Sequence, residues 1–165
     1  MVRCSSILTA DEEIEDNVTR HLRFDIRLLA SRLAEVTRWL DVQPVARDLG
    51  IGYFGSSTGG GAALVAAAEV GQRIDAVVSR GGRPDLAGDA LRRVRSPTLL
   101  IVGGYDDAVI GLNKEALAEL RCEKALKIVS GATHLFEEPG TLEAVAHLAA
   151  DWFRQHLHTH SEANG

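Results

Sequence analysis

Four short, mostly apolar runs recur along the chain, and most of them are separated by segments long enough to form helices. They are LGIGYF (49–54), IDAVVS (74–79), PTLLIVGG (97–104) and ALKIVSG (125–131). Runs of this length and composition are typical of strands that are buried on both faces of a parallel sheet. The alternation of such strands with helices predicts an α/β fold, with a mostly parallel sheet of about four to five strands and helices on both faces.

Helices are indicated between and around these runs. Apolar residues at intervals of three and four predict one helix over 22–40, which Pro44 bounds. Further helices are expected at 58–69, 112–120 and 142–153. The acidic residues 10–19 are expected to form a surface loop or the start of a helix, and residues 80–96 are expected to form a loop.

The length and composition favour a single domain. The chain has 165 residues, 45% of them hydrophobic, which is enough to build one core. We expect this domain to occupy residues 1–157 and residues 158–165 to form a flexible tail. His156, His158 and His160 alternate near this end, but a frayed polar tail would not fix the geometry that a metal ion requires.

Charge and cysteine content argue against several classes of function. The net charge of −5 gives no indication of nucleic-acid binding, and no apolar run approaches the roughly 20 residues that span a bilayer. The first residues become acidic before any long apolar region, which argues against a secretory signal. Cys4 and Cys122 are too few for a disulfide framework or a zinc site. We expect a cytoplasmic protein without metal or cofactor and with neither nucleic acid nor membrane as a partner.

The glycine-rich stretch GIGYFGSSTGGG (50–61) raises the question of a nucleotide site. A phosphate-binding loop needs a lysine after its last conserved glycine position, and only glycines and alanines follow Gly59. The glycines of 50–55 spell G-x-G-x-x-G, and Asp75 lies downstream. A dinucleotide fingerprint follows its strand, however, whereas here the apolar strand residues lie inside the motif. Both nucleotide interpretations are therefore disfavoured.

A third interpretation is the nucleophile elbow G-x-S-x-G, which GSSTG (55–59) satisfies. In this motif a strand turns sharply into a helix and presents the central serine, here Ser57. Small residues are expected at Gly55 and Gly59, because strand and helix approach closely there. The flanking sequences IGYF and GGAALVAAAE fit this context, but a plain glycine-rich turn would look the same. The motif alone leaves both interpretations open.

Acidic and histidine residues follow two later strands. Asp106 and Asp107 come after the run TLLIV, and His134 comes after LKIVSG. An α/β-hydrolase orders its catalytic triad along the chain as serine, acid and histidine, with the last two on loops after strands. An aspartate in a turn or a histidine in a packed loop is ordinary by itself. Together with the serine, and in this order, these residues predict a Ser-His-Asp hydrolase site.

Four segments carry a more specific resemblance. They are GYFGSSTGGGAALVAAAE, AVVSRGGRPDLAGDAL, SPTLLIVGGYDDAVIGLN and GATHLFEEPGTLEAVAHLAADWF. Over about residues 8–157 the chain resembles the dienelactone hydrolase-related branch of the α/β-hydrolases, which occurs alone or fused to phosphoribosyltransferase domains. The resemblance implies that Ser57 is the nucleophile, Asp106 the acid and His134 the base. Asp107 is the alternative acid. Dienelactone hydrolases proper have a cysteine nucleophile, so Ser57 argues against dienelactone itself as the substrate.

One family feature is not found in the sequence. Members of this branch carry extra amino-terminal strands and a His-Gly-rich loop that supplies half of the oxyanion hole, whereas 56 residues precede Ser57 here. The resemblance leaves the backbone N–H of Thr58 as the expected oxyanion donor. Loss of one donor lowers turnover by roughly 100- to 1000-fold. We therefore expect a reduced α/β-hydrolase fold and a weakly active serine hydrolase of small carboxylic esters. The alternative is a catalytically impaired relic of the fold that acts as a binding or assembly module.

The resemblance to this family also implies an exposed sheet edge. The strand at 51–54 would lack the neighbour that the family's amino-terminal strand provides, and exposed edges invite pairing with another chain. Either residues 2–8 fold back onto this edge or two chains join there. A homodimer is the favoured expectation, because twofold dimers are the commonest assembly.

Two arginines lie after a predicted strand end, in SRGGRPD. Arg80 and Arg83 could attract an anionic substrate. Ion pairs with Asp85 or with a glutamate are the favoured interpretation.

Overall fold

A computed structural model describes residues 8–160 of the chain. Four strands form one sheet in sequence order: β1 (Gly52–Ser56), β2 (Ala76–Arg80), β3 (Thr98–Gly103) and β4 (Lys124–Val129). All three neighbouring pairs are parallel. The predicted α/β fold is confirmed, and each of the four predicted strands is present.

Helices connect and flank the strands. The α-helices are α1 (Ala10–Thr19), α2 (Ile26–Asp41), α3 (Thr58–Val70), α4 (Asp107–Glu119) and α5 (Thr141–His156). Short 3₁₀ helices occupy Leu22–Phe24 and Gly71–Arg73, and 3₁₀ turns occupy Pro84–Arg93, where Gly88 (φ 50°, ψ −131°) interrupts the helical backbone. The predicted loop at 80–96 therefore contains helical turns. None of the helices in residues 8–160 has the length and apolar character needed to cross a membrane.

The amino-terminal helices differ from expectation because of local capping. Residues 10–19, expected as a loop or a helix start, form the complete helix α1, which a capping box at Thr9 begins. The helix predicted over 22–40 begins only after Asp25, whose carboxylate accepts a backbone N–H in the first turn of α2. The apolar periodicity extended across this break and did not reveal it.

The sheet lies between two helical layers. Helices α2, α3 and α4 pack on one face, and α5 packs on the other. Val77 and Leu100 contact the first layer, whereas Val78 and Ile101 contact the second, because side chains alternate along a strand. All four are fully buried. The prediction of helices on both faces is confirmed.

The carboxyl ends of the parallel strands lie at one edge of the sheet, so the loops that follow them meet there. Ser57 follows β1 directly, and Gly81 follows β2. Asp106 lies three residues beyond β3, and His134 lies five residues beyond β4. The fold therefore carries all three predicted catalytic side chains to the same edge.

Strand β1 is an outer strand, since it pairs only with β2 among residues 8–160. Tyr53 is buried, and its hydroxyl contacts the hydroxyl of Thr37 on α2. Phe54, on the opposite face, is 52% exposed. The predicted edge position is confirmed. The sequence suggested residues 2–8 as a segment that could cover this edge. Residues 2–7 lie outside the described range.

The carboxyl-terminal residues that the structure describes contact the domain. His160, in the predicted tail, has its Nε2 2.9 Å from Oδ1 of Asp75. Its backbone N–H donates to the carbonyl of Asp48 at 2.8 Å. His156, which we had grouped with a frayed tail, is instead the last residue of α5, where it is buried and packs on Trp152. Residues 161–165 lie outside the described range.

Candidate active site

Ser57 lies in a strained turn between β1 and α3. It follows the last residue of β1 and precedes the first residue of α3, and it has φ 51° and ψ −126°. A positive φ is rare for a residue with a side chain and costs on the order of 1–3 kcal/mol, so the surrounding structure must impose it. Strand, strained serine and helix occur in the order expected of a nucleophile elbow.

Backbone hydrogen bonds hold this turn in place. The N–H of Ser57 donates to the carbonyl of Arg80 at 3.3 Å, and the N–H of Arg83 donates to the carbonyl of Ser57 at 3.0 Å. The same carbonyl accepts the N–H of Gly60 at 3.1 Å. The serine turn is therefore tied to the residues that follow β2.

Two glycines allow β1 and α3 to approach each other. A Cβ added to Gly55 would lie 2.2 Å from the carbonyl oxygen of Gly59, and one added to Gly60 would lie 2.3 Å from Oγ of Ser79. A Cβ added to Gly59 would meet nothing within 4 Å. The expectation of a required small residue is confirmed at Gly55 and is wrong at Gly59, because the close approach to β2 falls at Gly60, one residue further on.

His134 and Asp106 are in direct contact, although 28 residues separate them in sequence. Nδ1 of His134 lies 2.6 Å from Oδ2 of Asp106, and the two side chains are 41% and 15% exposed. A carboxylate that accepts a hydrogen bond from the Nδ1–H group fixes the imidazole tautomer and leaves Nε2 as a proton acceptor. Such a pair can take a proton from a hydroxyl group that is placed at Nε2.

The neighbouring acid, Asp107, has a different position. It is the exposed first residue of α4, where a carboxylate interacts favourably with the helix dipole. The sequence left Asp106 and Asp107 as alternative partners of His134. In the structure Asp106 is the carboxylate that accepts the hydrogen bond from Nδ1 of His134.

Contacts of residues before and after His134 hold the loop that carries it. The N–H of Thr133 donates to Oε2 of Glu138 at 3.0 Å. Hydrogen bonds from Thr133 hold the pKa of the Glu138 carboxyl below its ordinary value. Phe136 has φ 58° and is fully buried, so packing sustains a backbone conformation that side chains rarely adopt. The histidine therefore lies on a defined loop.

The residues after β2 are neighbours of both the serine turn and the histidine loop. Arg80 accepts the Ser57 N–H through its carbonyl. A Cβ added to Gly81, which has φ 51°, would lie 3.2 Å from the His134 carbonyl oxygen and 3.7 Å from Cε1 of its ring. Ser57 and His134 thus lie against adjacent residues of one segment.

Thr58, whose backbone N–H was expected to bind an oxyanion, is the first residue of the 13-residue helix α3. The N–H groups of a first helical turn have no intrahelical acceptor and lie at the positive end of the helix dipole. The hydroxyl of Thr58 donates to the carbonyl of Arg23 at 2.8 Å. The backbone N–H is therefore in a position suited to binding a negative oxygen.

The two arginines after β2 have different partners. Arg83 donates from Nε and Nη2 to the two carboxylate oxygens of Asp85, at 2.9 and 2.7 Å, which confirms the predicted ion pair. For Arg80 the prediction was wrong. Its Nη2 donates to the carbonyl of Leu135 at 2.6 Å, and its Cζ lies 4.9 Å from the centroid of the Phe136 ring. No local sequence signal could have revealed these partners, because they lie on the histidine loop.

Within residues 8–160, no three or more histidine, cysteine, aspartate or glutamate side chains are arranged to hold a metal ion.

Comparison with known proteins finds relatives over most of the chain. The profile of the dienelactone hydrolase family matches residues 9–162. The crystal structure of a dienelactone hydrolase from Anabaena variabilis is 60% identical in sequence and superposes with a TM-score of 0.91. That match covers 93% of this chain and 71% of the other.

Longer and more distant proteins also match. Two Mycobacterium tuberculosis proteins with the words "phosphoribosyl transferase" in their names are 60% identical over 151 residues, which is 92% of this chain and 33% of each relative. The chain therefore spans about a third of the length of these curated relatives. A monoacylglycerol lipase from Paleococcus ferrophilus is 16% identical, with a TM-score of 0.66 over 79% of this chain and 76% of that one, and shares the fold.

Proposed function

Because the chain belongs to the dienelactone hydrolase family, we propose that it is a serine hydrolase of small carboxylic esters. The resemblance inferred from sequence to this family is confirmed. The observation that carries the proposal is the 2.6 Å hydrogen bond between His134 and Asp106, on loops that share a sheet edge with the strained turn of Ser57. The family and the solved hydrolase structures support hydrolysis in general, and the serine mechanism and the ester substrate are our proposals.

The proposed mechanism begins at the hydroxyl of Ser57. His134 accepts the hydroxyl proton at Nε2 while the serine oxygen attacks the ester carbonyl carbon. Asp106 holds the imidazole in the required tautomer and stabilises the imidazolium that forms. The protonated imidazole then donates its proton to the departing alcohol, which leaves an acyl group on Ser57. His134 then takes a proton from water as the water oxygen attacks the acyl carbon. The bond between this carbon and Oγ of Ser57 breaks, Oγ takes the proton from His134, and the carboxylic acid is released.

The Thr58 N–H would bind the oxyanion that develops during each attack. A donor of this kind raises turnover by roughly 100- to 1000-fold.

Exposure and residue type support a small, accessible substrate. Ser57 is exposed and His134 is partly exposed, so an ester can reach both from solvent. A serine stands where dienelactone hydrolases proper have a cysteine. We therefore propose simple carboxylic esters and not dienelactone as the substrate class.

Hydrolysis of nitrophenyl acetate tests this function. The wild type should show a rate above background, and Ser57→Ala and His134→Ala should fall to background. Ser56→Ala is the matched control and should retain the wild-type rate, because Ser56 is the adjacent serine but lies at the end of β1, outside the strained turn. A rate that survives both the Ser57 and the His134 substitutions would contradict the proposal. A folded protein with no rate at all would favour the relic that acts as a binding module.

A further inference from the structure

Arg80 joins the end of β2 to the loop that carries His134. Its Nη2 donates to the carbonyl of Leu135, the residue after His134, at 2.6 Å. Its guanidinium lies over the ring of Phe136, with Cζ 4.9 Å from the centroid, in the geometry of a cation–π contact. One side chain therefore holds two consecutive residues of the histidine loop.

The backbone of Arg80 contacts the serine turn. Its carbonyl accepts the N–H of Ser57 at 3.3 Å, and strand pairing aligns Arg80 with Ser56 on β1. The next residue, Gly81, lies beside His134, since a Cβ added to it would lie 3.7 Å from Cε1 of the ring. Arg80 is thus bonded to the serine turn through its main chain and to the histidine loop through its side chain.

The hydrogen bonds of the Arg80 side chain are incomplete. Its Nε is buried without a hydrogen-bond partner among the described residues. Buried unpaired polar atoms destabilise a fold, and their retention calls for an explanation other than stability. A methionine at position 80 would bury no unpaired N–H.

We propose that Arg80 is a positioning residue that holds the imidazole of His134 where it can accept a proton from the hydroxyl of Ser57. The proposal rests on the function proposed above. The hydrogen bond to the Leu135 carbonyl sets the distance between the His134 loop and β2, and the contact with the Phe136 ring sets the orientation of this loop. Since catalysis requires the serine and histidine to be held within a fraction of an ångström, loosening this loop lowers the rate without removing a reacting group.

The test compares Arg80→Met and Arg80→Lys with the wild type. Arg92→Met is the matched control, because Arg92 is an exposed arginine that is paired with Glu119 and remote from the site. The first measurement is the rate constant for labelling of Ser57 at saturating fluorophosphonate. The second is the ¹H signal of the His134 Nδ1 proton, which the hydrogen bond to Asp106 protects from exchange. Thermal unfolding shows whether each variant is folded.

Arg80→Met should lower the labelling rate constant by roughly 10- to 100-fold while leaving the concentration for half-saturation unchanged. The His134 proton signal should broaden or disappear. Arg80→Lys should be intermediate, because an ammonium can still donate to the Leu135 carbonyl but lacks the planar guanidinium that stacks on Phe136. A purely structural role would lower only the unfolding temperature.

The two measurements separate the two proposals. If the folded wild type is not labelled at Ser57, the proposed hydrolase function fails, and the His134 signal in the variants still tests the positioning role. If Arg80→Met does not fold, Arg80→Lys decides the result. A folded Arg80 variant with the wild-type His134 signal and a labelling rate within about twofold of the wild type would overturn the proposal.

Discussion

Nδ1 of His134 lies 2.6 Å from Oδ2 of Asp106, which joins the loop after β4 to the loop after β3. Neighbouring parallel strands place such loops side by side, so residues far apart in sequence meet without a special connection. This hydrogen bond predicts that Asp106, and not Asp107, is the acid that acts with His134.

Asp106→Asn should lower the hydrolysis and labelling rates by roughly 100- to 10,000-fold, because an amide no longer holds the imidazole in the productive tautomer. Asp107→Asn is the matched control. It should change these rates by no more than about twofold, because Asp107 lies in the first turn of α4. Equal losses in both variants, or a larger loss in Asp107→Asn, would contradict the assignment of Asp106.

Gly55→Ala should destabilise the protein by about 1–3 kcal/mol or more, since its Cβ would lie 2.2 Å from the Gly59 carbonyl oxygen. Gly59→Ala should be neutral or stabilising by up to about 1 kcal/mol, because its Cβ meets nothing within 4 Å and alanine favours helix. Urea unfolding of both variants measures the difference. Similar unfolding free energies would contradict the described packing of β1 on α3.

Glu138→Gln should lower the unfolding temperature at neutral pH. Hydrogen bonds from Thr133 hold the pKa of Glu138 below its ordinary value of 4.5. A group whose pKa is lowered by folding stabilises the folded state above its unfolded-state pKa, and this stabilisation is lost as the pH falls through the lower folded-state pKa. The difference from the wild type should therefore be largest at neutral pH and shrink below pH 4.5.

Glu137→Gln is the control for this pH dependence, since Glu137 is the exposed neighbour of Glu138. It should unfold at the wild-type temperature throughout. A Glu138→Gln difference that stays constant from neutral to acid pH would contradict the role of its carboxylate in holding the Thr133 turn.

The homodimer stays a prediction, based on the edge of β1 that residues 8–160 leave unpaired, and light scattering can test it. We expect the wild type to be a dimer at micromolar concentration, and Phe54→Lys to be monomeric because a charge on an edge strand opposes pairing. Phe54 is 52% exposed and Leu142, on α5, is 51% exposed, so Leu142→Lys is a matched control that should remain dimeric. A wild-type monomer would contradict the prediction.

The strands and the loops that follow them could be predicted because their signals are local. Continuous apolar runs such as PTLLIVGG can only be buried, and the order of serine, acid and histidine after such runs indicated where Ser57 and His134 would lie. The start of α2 could not be read from periodicity, because the cap at Asp25 interrupts the helix without interrupting the apolar pattern.

The partners of Arg80 were also beyond sequence reasoning. Its hydrogen-bond acceptor is the backbone of Leu135, 55 residues away, and its second partner is an aromatic ring. Opposite charge had suggested an ion pair, and that expectation was right only for Arg83, whose partner lies two residues away. Any residue can supply a backbone carbonyl, so the identity of Leu135 does not indicate this contact.

The proposed hydrolase function requires Ser57 to be the nucleophile. Folded wild-type protein, Ser57→Ala and Ser56→Ala should each be treated with a fluorophosphonate probe, and the modified residue identified by mass spectrometry. The wild type and Ser56→Ala should be labelled at Ser57, and Ser57→Ala should remain unlabelled, because Ser57 is the serine that the strained turn presents at the sheet edge that also carries His134. Labelling at any other serine, or none in the folded wild type, would contradict the account.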